Sequence, residues 1–108
     1  MNINNTPFPV RRAIKKLGND IRDSRKRRRL PMWLVAERAS ISRSTLTKIE
    51  NGNEGVSFVS YAKILFVLGM INRLAELADQ KFDILGLELE AKNLPKRIRI
   101  PSKEKRNN

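Results

Sequence analysis

The side chains best suited to recognition chemistry lie close together in one short polar run: Arg43, Ser44, Thr45, Thr47 and Lys48. None of them forms an acid–base or nucleophile set; what they offer is hydrogen bonding and positive charge. An arginine fork can donate two parallel bonds to guanine O6 and N7, a contact worth about 1–3 kcal/mol against a wrong base. Ser44 and Lys48, one and five residues further on, can add single bonds to base edges. Thr45, Thr47 and the preceding Ser42 suit phosphate or sugar oxygens. The plain alternative is that Arg43 and Lys48 are solvated surface charges.

Two short helical patterns must position this run. The first carries Val35, Ala36 and Ala39 on one narrow apolar face, and the second carries Leu46 and Ile49, three apart. Ser40 and Ile41 lie between them, the spacing of a helix-turn-helix. The small Ala36 permits the near contact that two steeply crossed helices need. Ser42 is placed to cap the second pattern through a first-turn N–H, and Asn51-Gly52 ends it, since both tolerate left-handed backbone.

Composition narrows the chemistry further. The chain has 108 residues and a formal charge of +12, from 23 Lys and Arg against 11 Asp and Glu. That balance points to a polyanion, with nucleic acid first and an anionic membrane surface second. With no histidine and no cysteine, the commonest general base, the commonest metal ligand, thiolate sites and disulfides are all missing. The sequence therefore predicts neither an enzyme nor a cofactor or metal site. Isolated Asp and Glu residues fall on polar faces or in loops. No apolar run is long enough to span a membrane, and the polar, Asn-rich start does not read as a signal peptide. A soluble cytoplasmic protein is expected.

Along the chain, residues 1–9 read as a flexible arm, 10–80 as the helical DNA-binding domain and 81–108 as an extension. Ala13, Ile14, Leu17 and Ile21 mark the inward stripe of a first helix over about Val10 to Arg28, weakened by Gly18. Its remaining surface is strongly basic and closes on Arg25-Lys-Arg-Arg-Arg29. Pro31 stops it and can open the next helix. Phe58 to Leu68 predicts a fourth helix, apolar nearly all round, with Tyr61, Ile64, Leu65 and Leu68 inward and a surplus that suggests a second subunit. Leu74, Leu77 and Ala78 belong to a short fifth helix. Leu85 to Leu94 suggests another, interrupted by Gly86. Lys96-Arg-Ile-Arg-Ile100 alternates polar and apolar between two prolines, as a short strand does. The expected fold is all-α: a compact five-helix domain followed by a strand or tail.

Residues from about Leu17 to Leu68 resemble the Cro and lambda-repressor type of helix-turn-helix, the xenobiotic-response-element family. The matching positions are Leu30, Val35, Ala36, Ala39, Ser42, Leu46, Ile49, Glu50, Asn51 and Gly52. More narrowly, Leu17-Gly-Asn-Asp-Ile-Arg, Ala36-Glu-Arg-Ala, Ile41-Ser-Arg-Ser, Val67-Leu-Gly-Met and Leu94-Pro-Lys-Arg-Ile-Arg are similar to HipB-like regulators. Those are DNA-binding antitoxin subunits paired with HipA-type serine/threonine kinase toxins. The resemblance implies that the third helix enters the major groove and that Arg43, Ser44 and Lys48 read bases. Residue types give backbone contacts from Ser42, Thr45, Thr47, Arg27, Arg28 and Asn53, the alternative being that the basic run is solvated charge, and the resemblance implies an ion pair between Arg25 and Glu50 inside the motif. It also implies a homodimer on a pseudo-palindromic operator of double-stranded DNA.

Two family positions differ. Met32 stands where a phosphate-binding Gln is usual, and Ser40 fills the turn position usually held by Gly. Met32, Trp33 and Leu34 replace three usually polar residues and form a candidate surface for the toxin, unless Trp33 folds back to complete a small core. Phe66, Ile98 and Ile100 are the candidate dimer contacts. The resulting expectation is a transcriptional repressor serving as the antitoxin of a type II toxin–antitoxin pair, with a single-chain or split kinase toxin. A stand-alone repressor of a phage or mobile element, and a helical protein binding nucleic acid without sequence preference, are the competing readings.

Overall fold

The computed structural model describes residues 5–98, and for 94–98 the backbone alone. Among these residues all regular structure is helical. The order is α1 Phe8–Arg27, α2 Met32–Ala39, α3 Arg43–Glu50, α4 Phe58–Val67, α5 Ile71–Ala75, a short 3-10 turn Gln80–Phe82, and α6 Ile84–Ile98. The chain divides into two compact units between Leu74 and Ala75, within α5 and upstream of the boundary expected at residue 80.

The first unit holds the core. Ile21 from α1, Val35, Ala36 and Ala39 from α2, Leu46 and Ile49 from α3, and Tyr61, Ile64 and Leu68 at α4 form one buried cluster. Each helix supplies residues at three- and four-residue steps, so one stripe per helix converges inward. Ile14, Leu17, Leu30, Met32, Ile41 and Leu65 pack around the cluster, whereas Ala13 is exposed.

α1 begins at Phe8, not Val10, after Pro7 at its cap. Pro9 is tolerated because a first-turn N–H has no partner within the helix. The proposed arm of residues 1–9 is therefore helical from Phe8 onward. Gly18, which weakens the helix by propensity, lies where α1 meets α3. A Cβ there would run into the carbonyl oxygen of Ile49 and, at 2.9 Å, the amide nitrogen of Gly52. Only a residue without a side chain allows the two backbones to come this close.

Four helices end in the same way, on a left-handed residue with paired closing bonds. After α1 the residue is Arg29 (φ 54), and Leu30 N–H donates to the Arg25 carbonyl at 3.2 Å. After α2 it is Ser40 (φ 55), with Ile41 N–H on Ala36 at 3.0 Å. Gly52 and Gly69 do the same after α3 and α4, through Asn53 to Lys48 and Met70 to Leu65. These bonds satisfy otherwise orphaned carbonyls and turn the chain sharply. At Arg29 and Ser40 the turn is made without glycine, against the steric preference of an L-residue.

The second unit is a turn followed by α6. Asp83 opens the helix, accepting from Gly86 N–H at 3.1 Å on its side chain and from Leu87 N–H at 2.9 Å on its carbonyl. Gly86 thus sits in the first turn and does not interrupt the helix. The short strand expected at Lys96–Ile100 is not formed: residues 96–98 continue α6, and 99–100 lie outside the described residues. Ile84, Leu87, Ala91, Leu94 and Ile98 keep a helical period over fifteen residues, which outweighs a five-residue alternation. Among residues 75–93 none is buried, and Leu77, Phe82, Ile84, Leu85 and Leu89 are exposed.

Gly18→Ala separates intrinsic propensity from packing. Helix propensity alone predicts a gain of about 1 kcal/mol. The backbone contact at α3 predicts a net loss of stability, read as a lower urea midpoint with an unchanged slope.

Candidate nucleic-acid interface

α3 is held from behind and capped at its front. Leu46 and Ile49 are 0% exposed, which fixes the helix against the core. Ser42 Oγ accepts the Thr45 N–H at 3.0 Å and donates to Thr45 Oγ1 at 2.9 Å. Arg43 is therefore the first residue of a capped helix, and Arg43, Ser44, Thr47 and Lys48 share its exposed outer side. Thr45 is half-buried, and Ser42 and Thr45 together cap the helix, Thr45 Oγ1 accepting from Ser42.

Arg25 and Glu50 lock this helix to α1. Arg25 Nε donates to Glu50 Oε2 at 2.6 Å and Nη2 to Oε1 at 3.1 Å, a two-bond fork between side chains only 11% and 6% exposed. The third guanidinium donor, Nη1, reaches the Leu30 carbonyl at 3.1 Å, tying the turn between α1 and α2 to the same pair. The hydrogen bond from Glu50 raises the Arg25 pKa further above its ordinary value, against the opposing effect of burial. Arg25 therefore stays charged beside Glu50.

The loop after α3 is ordered by its own bonds. Asn53 accepts Gly55 N–H through its side-chain oxygen at 2.6 Å, and its carbonyl accepts the Tyr61 hydroxyl at 2.9 Å. Burial raises the Tyr61 pKa, which keeps that hydroxyl a donor. Glu54 in this loop pairs with Arg11 of α1 at 3.0 Å, a contact with no local sequence signal because the partners are far apart in the chain.

Of the basic run at the end of α1, Arg27 and Arg28 are both exposed, and Arg28 also bonds within the protein. Its guanidinium donates to Ser24 and, at 3.1 Å, to the Leu68 carbonyl, joining the ends of α1 and α4. These bonds give Arg28 a structural role in addition to any contact its exposed side makes. The i, i+4 spacing of Ser24 and Arg28 was readable in sequence; the bond to Leu68 was not.

Met32, Trp33 and Leu34 differ in exposure. Met32 packs against the core and Leu34 is half-buried, but Trp33 is 55% exposed. Trp33 thus stands outside the buried cluster: at the second position of α2 it points away from the stripe formed by Val35, Ala36 and Ala39. Phe66 is also exposed, together with Phe58 and Val59 on the outer side of α4. Ile98 belongs to α6 and Ile100 lies outside the described residues.

Comparison with known proteins finds no matching protein family, no matching curated protein and no matching solved structure. Among the described residues there is no cluster of acidic side chains that could hold a metal ion, and no helix long and apolar enough to cross a membrane.

Arg25→Met leaves Glu50 buried without its partner and is expected to cost about 3–5 kcal/mol in urea unfolding. Adding Glu50→Leu removes the stranded charge, and the double variant should recover most of that loss. A single variant as stable as the parent would contradict the described burial of the pair.

Proposed function

We propose that the chain is a sequence-specific DNA-binding repressor that reads the major groove through α3. One observation carries this reading: a short helix, pinned by Leu46, Ile49 and the Arg25–Glu50 fork, presents Arg43, Ser44, Thr47 and Lys48 together on its free side. A rigid helix of this size fits a major groove, and the leading arginine has the fork geometry that guanine recognises. The charge of +12 supplies the sequence-independent attraction that holds such a reader on DNA. Arg43, Ser44 and Lys48 are the base readers in this proposal, with Ser42, Thr45, Thr47, Arg27, Arg28 and Asn53 at the backbone.

A single half-site contact of this size binds weakly, so the working form is a dimer on a two-fold site. The exposed Phe58, Val59 and Phe66 of α4 are the apolar surface on which that dimer can form.

The same reading extends to an antitoxin of the HipB-like class, with a HipA-type kinase as partner. Its support is the resemblance of the quoted motifs and the exposure of Trp33, a residue type enriched at protein contacts. A neighbouring reading frame encoding such a kinase would favour the antitoxin over a stand-alone repressor.

Two variants test the two parts. Arg43→Ala should relax discrimination at one or two base positions by about 1–3 kcal/mol, measured by binding a duplex selected from a random pool against scrambled competitors at fixed salt. Unchanged discrimination would remove α3 as the reader. Trp33→Ala should abolish co-purification with the kinase while leaving thermal stability within about 0.5 kcal/mol. Loss of stability instead would return Trp33 to a packing role.

A further inference from the structure

α1 is twenty residues long, and its rows repeat every seven residues. Arg11, Gly18 and Arg25 form the row that meets α3 and the loop behind it, through Glu54, the Ile49 and Gly52 backbone, and Glu50 respectively. The next row round the helix, away from the core, is Lys15 and Arg22; the one after it is Arg12, Asn19 and Lys26. All five are exposed. The Cα of Lys15 lies against Gly52, the residue that ends α3. A basic stripe therefore runs directly beside the end of the reading helix.

The charge on this stripe is not neutralised by any described residue. Arg12, Lys15, Arg22 and Lys26 have no carboxylate partner among the described residues. Asp20 of the same helix is taken by Lys16 at 2.6 Å, and Asp23 stands further round the surface. Arg12 lies over the ring of Phe8 at 5.2 Å, which holds its guanidinium on the same face as Lys15 and Asn19. From Arg12 to Lys26 the stripe spans about 21 Å at helical rise, long enough to follow several successive phosphates of one strand.

We propose that this stripe of α1 is a second DNA-binding surface, a phosphate rail that grips the duplex backbone beside the half-site read by α3. The rail contributes affinity and register with no base readout, and the Arg11–Glu54 pair is the positioning contact that holds it against the loop after α3. The geometry of the rail rests on the proposal that α3 faces DNA; its phosphate chemistry does not, and the test keeps the two apart.

The probe is a random-sequence duplex, because a phosphate contact is blind to sequence. Arg12→Ala with Lys15→Ala should lower the slope of log K against log salt by about 1.8, one counterion equivalent for each lost contact. A control with the same charge change within the first unit, Lys63→Ala with Arg73→Ala, should alter the slope far less. Arg43→Ala should lose selectivity for the selected duplex, while the rail variant keeps the parent's ratio of selected to random binding. Circular dichroism melting of both double variants should match the parent, since all four sites are exposed. Equal slopes for the rail and control variants overturn the rail. Failure of the parent to select any sequence, with the rail slope still reduced, overturns reading by α3 and leaves the rail standing as a sequence-blind contact.

Discussion

The structure of the first unit depends on one buried charge pair. Arg25 makes three directed bonds, two to Glu50 and one to the Leu30 carbonyl, so a single guanidinium fixes the end of α1, the start of the turn to α2 and the last residue of α3. A buried ion pair contributes little net stability when compared with apolar packing of the same shape. What it does specify is direction. Leu46 and Ile49 would be satisfied by many rotations of α3 that keep them covered, but the fork accepts only the one that brings both carboxylate oxygens to Arg25.

Close backbone contact is the second constraint, and it follows from the first. For the fork to close, α1 must run near the C-terminal end of α3, and Gly18 and Gly52 are the residues that let it. The helix weakness implied by Gly18 is thus the local cost of a tertiary contact. The left-handed ends at Arg29, Ser40, Gly52 and Gly69 keep the connections short, so α1 to α4 fold back on each other with little intervening chain. The outer side of α3 is left polar and free because its inner side is consumed by these contacts.

The two units use their apolar residues differently. In the first, nine buried side chains close into one cluster. In the second, the described side chains of α6 and the turn before it remain exposed, so its helical period finds no burial within the unit. Periodicity alone guarantees an amphipathic helix and says nothing about what covers it.

The helices, their inward stripes and the caps at Ser42 and Gly52 were legible from residue types, because period, capping and chain reversal are local properties encoded within a few residues. Three-dimensional packing decided the rest. It turned Gly18 from a defect into a crossing point, because its neighbours there, Ile49 and Gly52, are more than thirty residues away. It gave Arg28 a bond to the Leu68 carbonyl and brought Arg11 to Glu54. It left Trp33 outside a core that Met32 enters, since one step along a helix turns a side chain by about a quarter of the circle. The apparent strand at Lys96–Ile100 failed for a related reason: a short alternating run does not by itself fix the backbone, and residues 96–98 join the helix that begins at Ile84.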